Sequence, residues 1–135
     1  MYGADKNLVL SEAFRVLKPG GFLNFTDILV RRTLESDLKK RLYARVRTPE
    51  MWDSSRYVEA LLRLGFTVQR VEDWSDHVES SYAAARDETI TRREELIDIL
   101  GEELVAQTLE GLAFWIDRAR RRDVGWAFFV ARKPK

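Results

Sequence analysis

An α/β domain with a helical cap is predicted for this 135-residue chain by the order of its elements and by two sharp local signals. The order is helix, strand, helix, strand, two helices, strand. One signal is an amphipathic run halted by Lys18-Pro19-Gly20-Gly21; the other is the apolar, β-branched run Phe22 to Val30 directly behind it.

From Asp5 to Leu17, Leu8, Leu10, Ala13, Phe14, Val16 and Leu17 recur at three- and four-residue spacing, which predicts a helix. Pro19 cannot continue it, and the glycine pair can take positive φ, so the chain reverses there. Phe22 to Val30 then reads as a strand buried on both faces, with Asp27 near its end. Arg31 to Asp53 is polar and mixed. Its Leu34, Leu38 and Leu42 predict a short amphipathic helix before the Thr48-Pro49 break, an insertion over one end of the sheet.

Ser54 or Ser55 is the expected N-cap of a helix over Arg56 to Leu64, with Tyr57, Val58, Leu61 and Leu62 as its stripe and Gly65 past its end. Phe66 to Trp74 alternates enough to be a half-buried strand. His77 to Arg122 predicts a helical hairpin, broken once at Leu100-Gly101, with Leu104, Val105, Thr108, Leu109, Leu112, Trp115, Ile116 and Ala119 on one face. Val124 to Ala131 is the last strand, followed by the basic tail from Arg132 to Lys135.

Composition narrows the function. With 45% apolar, 33% charged and 11% aromatic residues, the chain is a folded domain, and its length fits one domain over 1–135 by the prior of roughly 100 to 200 residues. The 23 basic and 22 acidic residues leave +1, so no bulk charge points to nucleic acid. No apolar stretch approaches the roughly 20 residues of a membrane span, and Met1 to Leu10 lacks a signal-peptide layout, so a cytoplasmic location is expected. The absence of cysteine and a single histidine, His77, predict no metal site and argue against serine-hydrolase or cysteine-protease chemistry.

The run Glu12-Ala13-Phe14-Arg15-Val16-Leu17-Lys18-Pro19-Gly20-Gly21, then the strand to Asp27, resembles a signature in the later half of the class I S-adenosylmethionine-dependent methyltransferases. Leu61 to Val68 is similar to the helix entering strand six of that family, and Gly125 to Arg132 to strand seven. A helical insertion between those strands, with Gly111 to Ile116 leading to Val124-Gly125-Trp126, is similar to the sarcosine/dimethylglycine N-methyltransferases that make glycine betaine. Small-molecule methyltransferases of quinones, sterols and polyketides share much of this core. The resemblance implies a partial Rossmann-like sheet of order 5-7-6, strand seven antiparallel to its neighbours, with the ligand at the carboxyl ends of the strands.

The same resemblance begins past the family's first four strands, and the chain has no G-x-G-x-G loop. The expectation is the acceptor-side, C-terminal half of a methyltransferase, whether gene fragment, split subunit or truncated piece. The complete enzyme uses S-adenosylmethionine; this chain alone is not expected to bind it. The implied acceptor is a small molecule such as sarcosine or dimethylglycine. Without strand four, the Phe22–Val30 strand exposes an edge, which predicts a homodimer or a complementing N-terminal half.

Within that frame Asp27 is the catalytic candidate, holding the acceptor's cation or helping to remove its proton; an aspartate there can equally cap the next helix or pair with Arg31 or Arg32. Arg31, Arg45, Arg47 and Arg56 are candidates for an arginine fork on the acceptor's carboxylate, with Arg31 and Arg56 carried forward, against the plainer reading of solvated surface arginines. Trp52, in a polar loop, is the cation–π candidate among Tyr43, Trp52, Tyr57, Trp74, Tyr82 and Trp115; Trp115 reads as core packing. His77 reads as a helix-start surface residue, with a general base as the sharper role. Arg118, Arg120, Arg121 and Arg122 complement a helix dipole, or alternatively contact phosphate. Two other classes of function stay open: a non-catalytic interaction module, and a nucleic-acid binder through Arg118–Arg122.

Overall fold

The computed structural model describes residues 5–135. Residues 1–4, which belong to the domain expected over 1–135 and to the Met1–Leu10 start, lie outside the described residues. Helix α1 spans Lys6–Val16, and Asp5 caps it by accepting the Leu8 N–H at 3.1 Å. After Leu17 the chain turns through Gly20, whose φ of +80° suits a residue without a Cβ. Lys133 from the far end of the chain donates its Nζ to the carbonyls of Phe14 and Leu17, at 2.7 and 2.9 Å, so the end of α1 is satisfied by the expected basic tail.

Strands β1 (Phe22–Val30), β2 (Thr67–Asp73) and β3 (Val124–Arg132) form one sheet of order β1-β3-β2. Both pairings are antiparallel, and Asp27 and Asp73 lie level with Ala127 from either side. That is the 5-7-6 arrangement expected. β1 differs from the expected strand buried on both faces. Phe22 is 53% exposed, and only Leu29 and Val30 at its far end are buried, because β1 is at the edge of the sheet among the described strands.

Helix α2 spans Ser36–Arg45 and α3 spans Ser54–Arg63. The N-cap of α3 is Asp53 and not Ser54 or Ser55: its carboxylate accepts the Arg56 N–H at 2.8 Å and pairs with Arg32 at 2.7 Å, a stronger acceptor than a hydroxyl. Tyr57, Ala60 and Leu61 face inward, whereas the expected stripe residue Leu62 is exposed. Gly65 takes φ +96° past the helix end, as expected.

The cap breaks twice: α4 (Asp76–Thr91), α5 (Arg93–Leu100) and α6 (Glu102–Arg120). The unforeseen break at Arg92 follows Thr89 and Thr91, whose hydroxyls bond back to the carbonyls of Ala85 and Asp87 and loosen the helix. Leu104 is exposed, and the inward stripe of α6 is Val105, Gly111, Trp115, Ile116 and Ala119. Gly111 has no side chain because Arg45 crosses there: a Cβ would fall 1.4 Å from its guanidinium.

Side chains divide the core by strand parity. Phe25, Leu29, Ala127, Phe129 and Ala131 pack with Leu10, Trp52, Tyr57, Leu61 and Phe66 under α1 and α3. Val30, Val124, Ile28 and Trp126 pack with Leu42, Met51, Val78 and Trp115 under α2, α4 and α6.

Candidate functional site

A cavity of about 310 Å³ opens beside residues 26–28 of β1. Thr26, Asp27 and Ile28 all line it, and successive strand residues point to opposite faces, so the cavity lies along the outer edge of the strand. α1 supplies Lys6, the loop after α2 supplies Thr48 and Met51, α4 supplies Tyr82, and β3 supplies Trp126. Tyr82 stacks on Trp115 with centroids 5.3 Å apart, which fixes the aromatic wall to α6.

Asp27 is the acidic group of this wall, with its side chain 11% exposed. The Tyr57 hydroxyl donates to its Oδ2, and the Lys6 ammonium, itself 5% exposed, lies 3.4 Å from the same oxygen. Tyr57 is wedged between Trp52, Phe25 and Phe129, with centroids 4.9 to 5.3 Å away. Burial first, and the Asp27 charge second, push the Tyr57 phenol far above its ordinary pKa, so it remains a donor.

Behind Lys6 a second cavity of about 440 Å³ is lined by Asp5, Asn7, Tyr43, Pro49, Glu50 and Trp52 as well. Glu50 accepts from the Trp52 indole N–H at 3.1 Å and from Arg56. Burial raises its pKa, but these hydrogen bonds and the Arg56 and Lys6 charges outweigh that and hold the carboxyl below its ordinary value. Burial, and then the Glu50 charge, raise the Tyr43 phenol.

The structure brings Asp27 and Tyr82 to one cavity and Trp52 and Tyr43 to the other, with Tyr57 hydrogen-bonded to Asp27. The expected arginines line neither cavity. Arg31 pairs with buried Asp123 at 2.6 Å and Arg32 with Asp53, and the next helix, α2, has Glu35 and not Asp27 at its N-cap. Arg56 lies over the Trp52 ring at 4.5 Å and pairs with Glu50. Trp52 is not a loop aromatic open to solvent but 3% exposed core: its polar neighbours serve as caps and ion pairs while the indole fills the space under α3. Arg47 is exposed and Arg45 lies against α6.

His77 is an exposed residue of the first turn of α4, and Trp115 is core, both as expected. Trp74 stacks on Phe128 at 5.2 Å. Each arginine of the Arg118–Arg122 run pairs with a carboxylate: Arg118 with Asp123 and Asp117, Arg120 with Glu79, Arg121 with Asp117 and Arg122 with Asp76. The run is thereby neutralised. Sequence reasoning missed Lys6, Thr26, Met51 and Trp126. Lys6 opens a helix, where a lysine ordinarily reads as a solvated cation, and nothing local signals its burial.

No family model matches the chain. The dimethylglycine N-methyltransferase of Parasynechococcus marenigrum (strain WH8102) is 28% identical over 134 residues, covering 99% of this chain and 48% of that protein. A solved structure from Galdieria sulphuraria, assigned as a sarcosine dimethylglycine methyltransferase, superposes with a TM-score of 0.89 at 25% identity, over 98% of this chain and 49% of that one. Haemonchus contortus phosphoethanolamine N-methyltransferase 2, solved with S-adenosyl-L-methionine, shares the fold with a TM-score of 0.84 at 20% identity, over 97% of this chain and 30% of that one. The chain thus spans about half the length of the curated dimethylglycine N-methyltransferase it matches. Sheet order, strand directions and these superpositions give the chain the class I S-adenosylmethionine-dependent methyltransferase fold, with the sarcosine/dimethylglycine N-methyltransferases as its relatives in sequence.

Proposed function

We propose that this chain is the acceptor-side half of an S-adenosylmethionine-dependent N-methyltransferase whose acceptor is a small amine, with sarcosine or dimethylglycine as the leading candidates. The observation that carries the reading is the position of the Asp27 cavity on the outer edge of β1, which hydrogen-bonds to β3 alone among the described strands. A donor-side half paired along that edge would close the cavity and exclude water from the amine.

The residues present do not fit the methyl donor on their own. The sequence contains no G-x-G-x-G loop, and the positive-φ glycines, Gly20, Gly65 and Gly101, serve a turn and two helix ends. The donor site therefore belongs to another polypeptide segment. What this chain contributes is binding and orientation. Asp27 holds the acceptor's ammonium or accepts its N–H, and the protonated Tyr57 fixes the carboxylate. Tyr82 and Trp126 offer ring faces to the N-methyl groups.

The test is reconstitution of the chain with the polypeptide encoded immediately upstream, followed by transfer of labelled methyl to dimethylglycine. Transfer that falls roughly a hundredfold or more in Asp27→Asn is expected. Calorimetry of the chain alone with S-adenosylmethionine should give no binding; tight binding sinks the half-site reading. A reconstituted pair that binds the donor and methylates no amine favours a non-catalytic interaction module.

A further inference from the structure

Among the described residues, Lys6 is the only lysine or arginine lining either cavity, and it lines both. Of the arginines that could receive a carboxylate, Arg31 is engaged on Asp123, Arg56 on Glu50 and Trp52, and Arg45 lies against Gly111, while Arg47 is exposed and lines neither cavity. At the wall of the cavity beside β1 an ammonium and a carboxylate, each nearly buried, stand 3.4 Å apart. Such a pair is a short dipole in a desolvated setting, where electrostatic interactions are stronger than in water.

Its complement is a ligand with opposite charges at matching separation. The amine nitrogen and carboxyl carbon of an α-amino acid are about 2.5 Å apart, from the N–Cα and Cα–C bond lengths and the angle between them. Such a zwitterion can lie antiparallel to the Lys6–Asp27 pair, each charge facing its opposite. An amine without a carboxylate meets Asp27 and offers nothing to the Lys6 ammonium, and sites built around polar contacts reject ligands that lack the partner group.

We infer that Lys6 is a specificity-determining residue, holding the carboxylate of an α-amino-acid acceptor while Asp27 takes its amine. The inference rests on the acceptor-side reading above and replaces the expected arginine fork with a single buried lysine.

Calorimetric titration of the full chain with dimethylglycine and with 2-dimethylaminoethanol, which has the same amine but a hydroxyl in place of the carboxylate, tests it. Dimethylglycine should bind at least about tenfold more tightly. In Lys6→Met that preference should vanish through loss of dimethylglycine affinity, and Lys6→Arg should restore part of it. Equal affinity of the unaltered chain for both ligands, or a preference that survives Lys6→Met, overturns the role of Lys6 and leaves the acceptor-side reading standing. No binding of dimethylglycine to the unaltered chain overturns both. If circular dichroism finds Lys6→Met unfolded, the preference of the unaltered chain and its retention in Lys6→Arg decide the matter.

Discussion

The Tyr57 hydroxyl donates to the Asp27 carboxylate, tying α3 to β1 at the wall of the cavity beside β1. Tyr57 is fully buried and its ring packs on Trp52, Phe25 and Phe129, so the donor cannot swing away from its acceptor. Asp27 is accordingly held by packed core rather than by a surface arginine. That is how a charged group on an edge strand acquires a fixed position.

This arrangement makes a pH prediction. Burial and the neighbouring carboxylate raise the folded-state pKa of Tyr57. A raised pKa contributes stability that is complete below the unfolded value, about 10 for tyrosine, and is lost as pH rises beyond it. Ultraviolet titration should therefore find one of the four tyrosines silent until the chain unfolds, and stability should fall above about pH 10. A Tyr57→Phe chain should show a shallower alkaline decline. Four tyrosines ionising together in the folded protein would contradict the burial.

Tyr57→Phe should also cost about 1–3 kcal/mol in urea unfolding at neutral pH, because it leaves Asp27 nearly buried with one donor fewer. Removing the hydroxyl together with the charge, in Tyr57→Phe with Asp27→Asn, should cost less than the sum of the single changes, since the two groups interact directly. Additive costs would mean that the hydrogen bond contributes nothing measurable.

Much of the fold was legible in the sequence. The Lys18-Pro19-Gly20-Gly21 stop, the limits of β1 and the identity of the three strands follow from local chemistry, and strand order came through resemblance to a known fold. What local pattern could not supply was solvent exposure set by distant neighbours. Phe22 reads as core and is exposed because β1 is an edge; Trp52 reads as loop and is core because α3 closes over it. In the site, Asp27 was legible as an acidic residue near a strand end. Its partners were not: Lys6 lies 21 residues upstream and Tyr57 30 residues downstream, with no periodicity linking either to β1. The carboxylate partners of the arginines, such as Asp123 for Arg31, are set by tertiary contact, which no local pattern carries.

Asp53 offers a test at acid pH. Burial opposes its charge, but Arg32 and the Arg56 N–H more than offset this and lower its pKa. A lowered pKa contributes stability that is present above the unfolded value, about 3.9, and is lost as pH falls through the folded one. Asp53→Ala should cost about 1–2 kcal/mol at pH 7 through loss of the α3 cap. That difference should shrink below about pH 4 in paired urea titrations. A pH-independent gap would assign the effect to packing.

The edge of β1 gives the last prediction. β1 pairs with β3 alone among the described strands, and Phe22 at its start is 53% exposed. An unpaired edge with an apolar flank seeks another strand, whether from a second copy or from a donor-side half. Sedimentation at micromolar concentration should therefore detect self-association of the isolated chain. Phe22→Lys should weaken it, because a charged edge residue opposes strand pairing. Addition of the upstream polypeptide should displace the homodimer in favour of a one-to-one complex, since both compete for the same backbone groups. A chain that remains monomeric alone, and stays so when mixed with that polypeptide, would show that the edge is blunted within the protein itself. The reading of the Asp27 cavity as half of a site would fall with it.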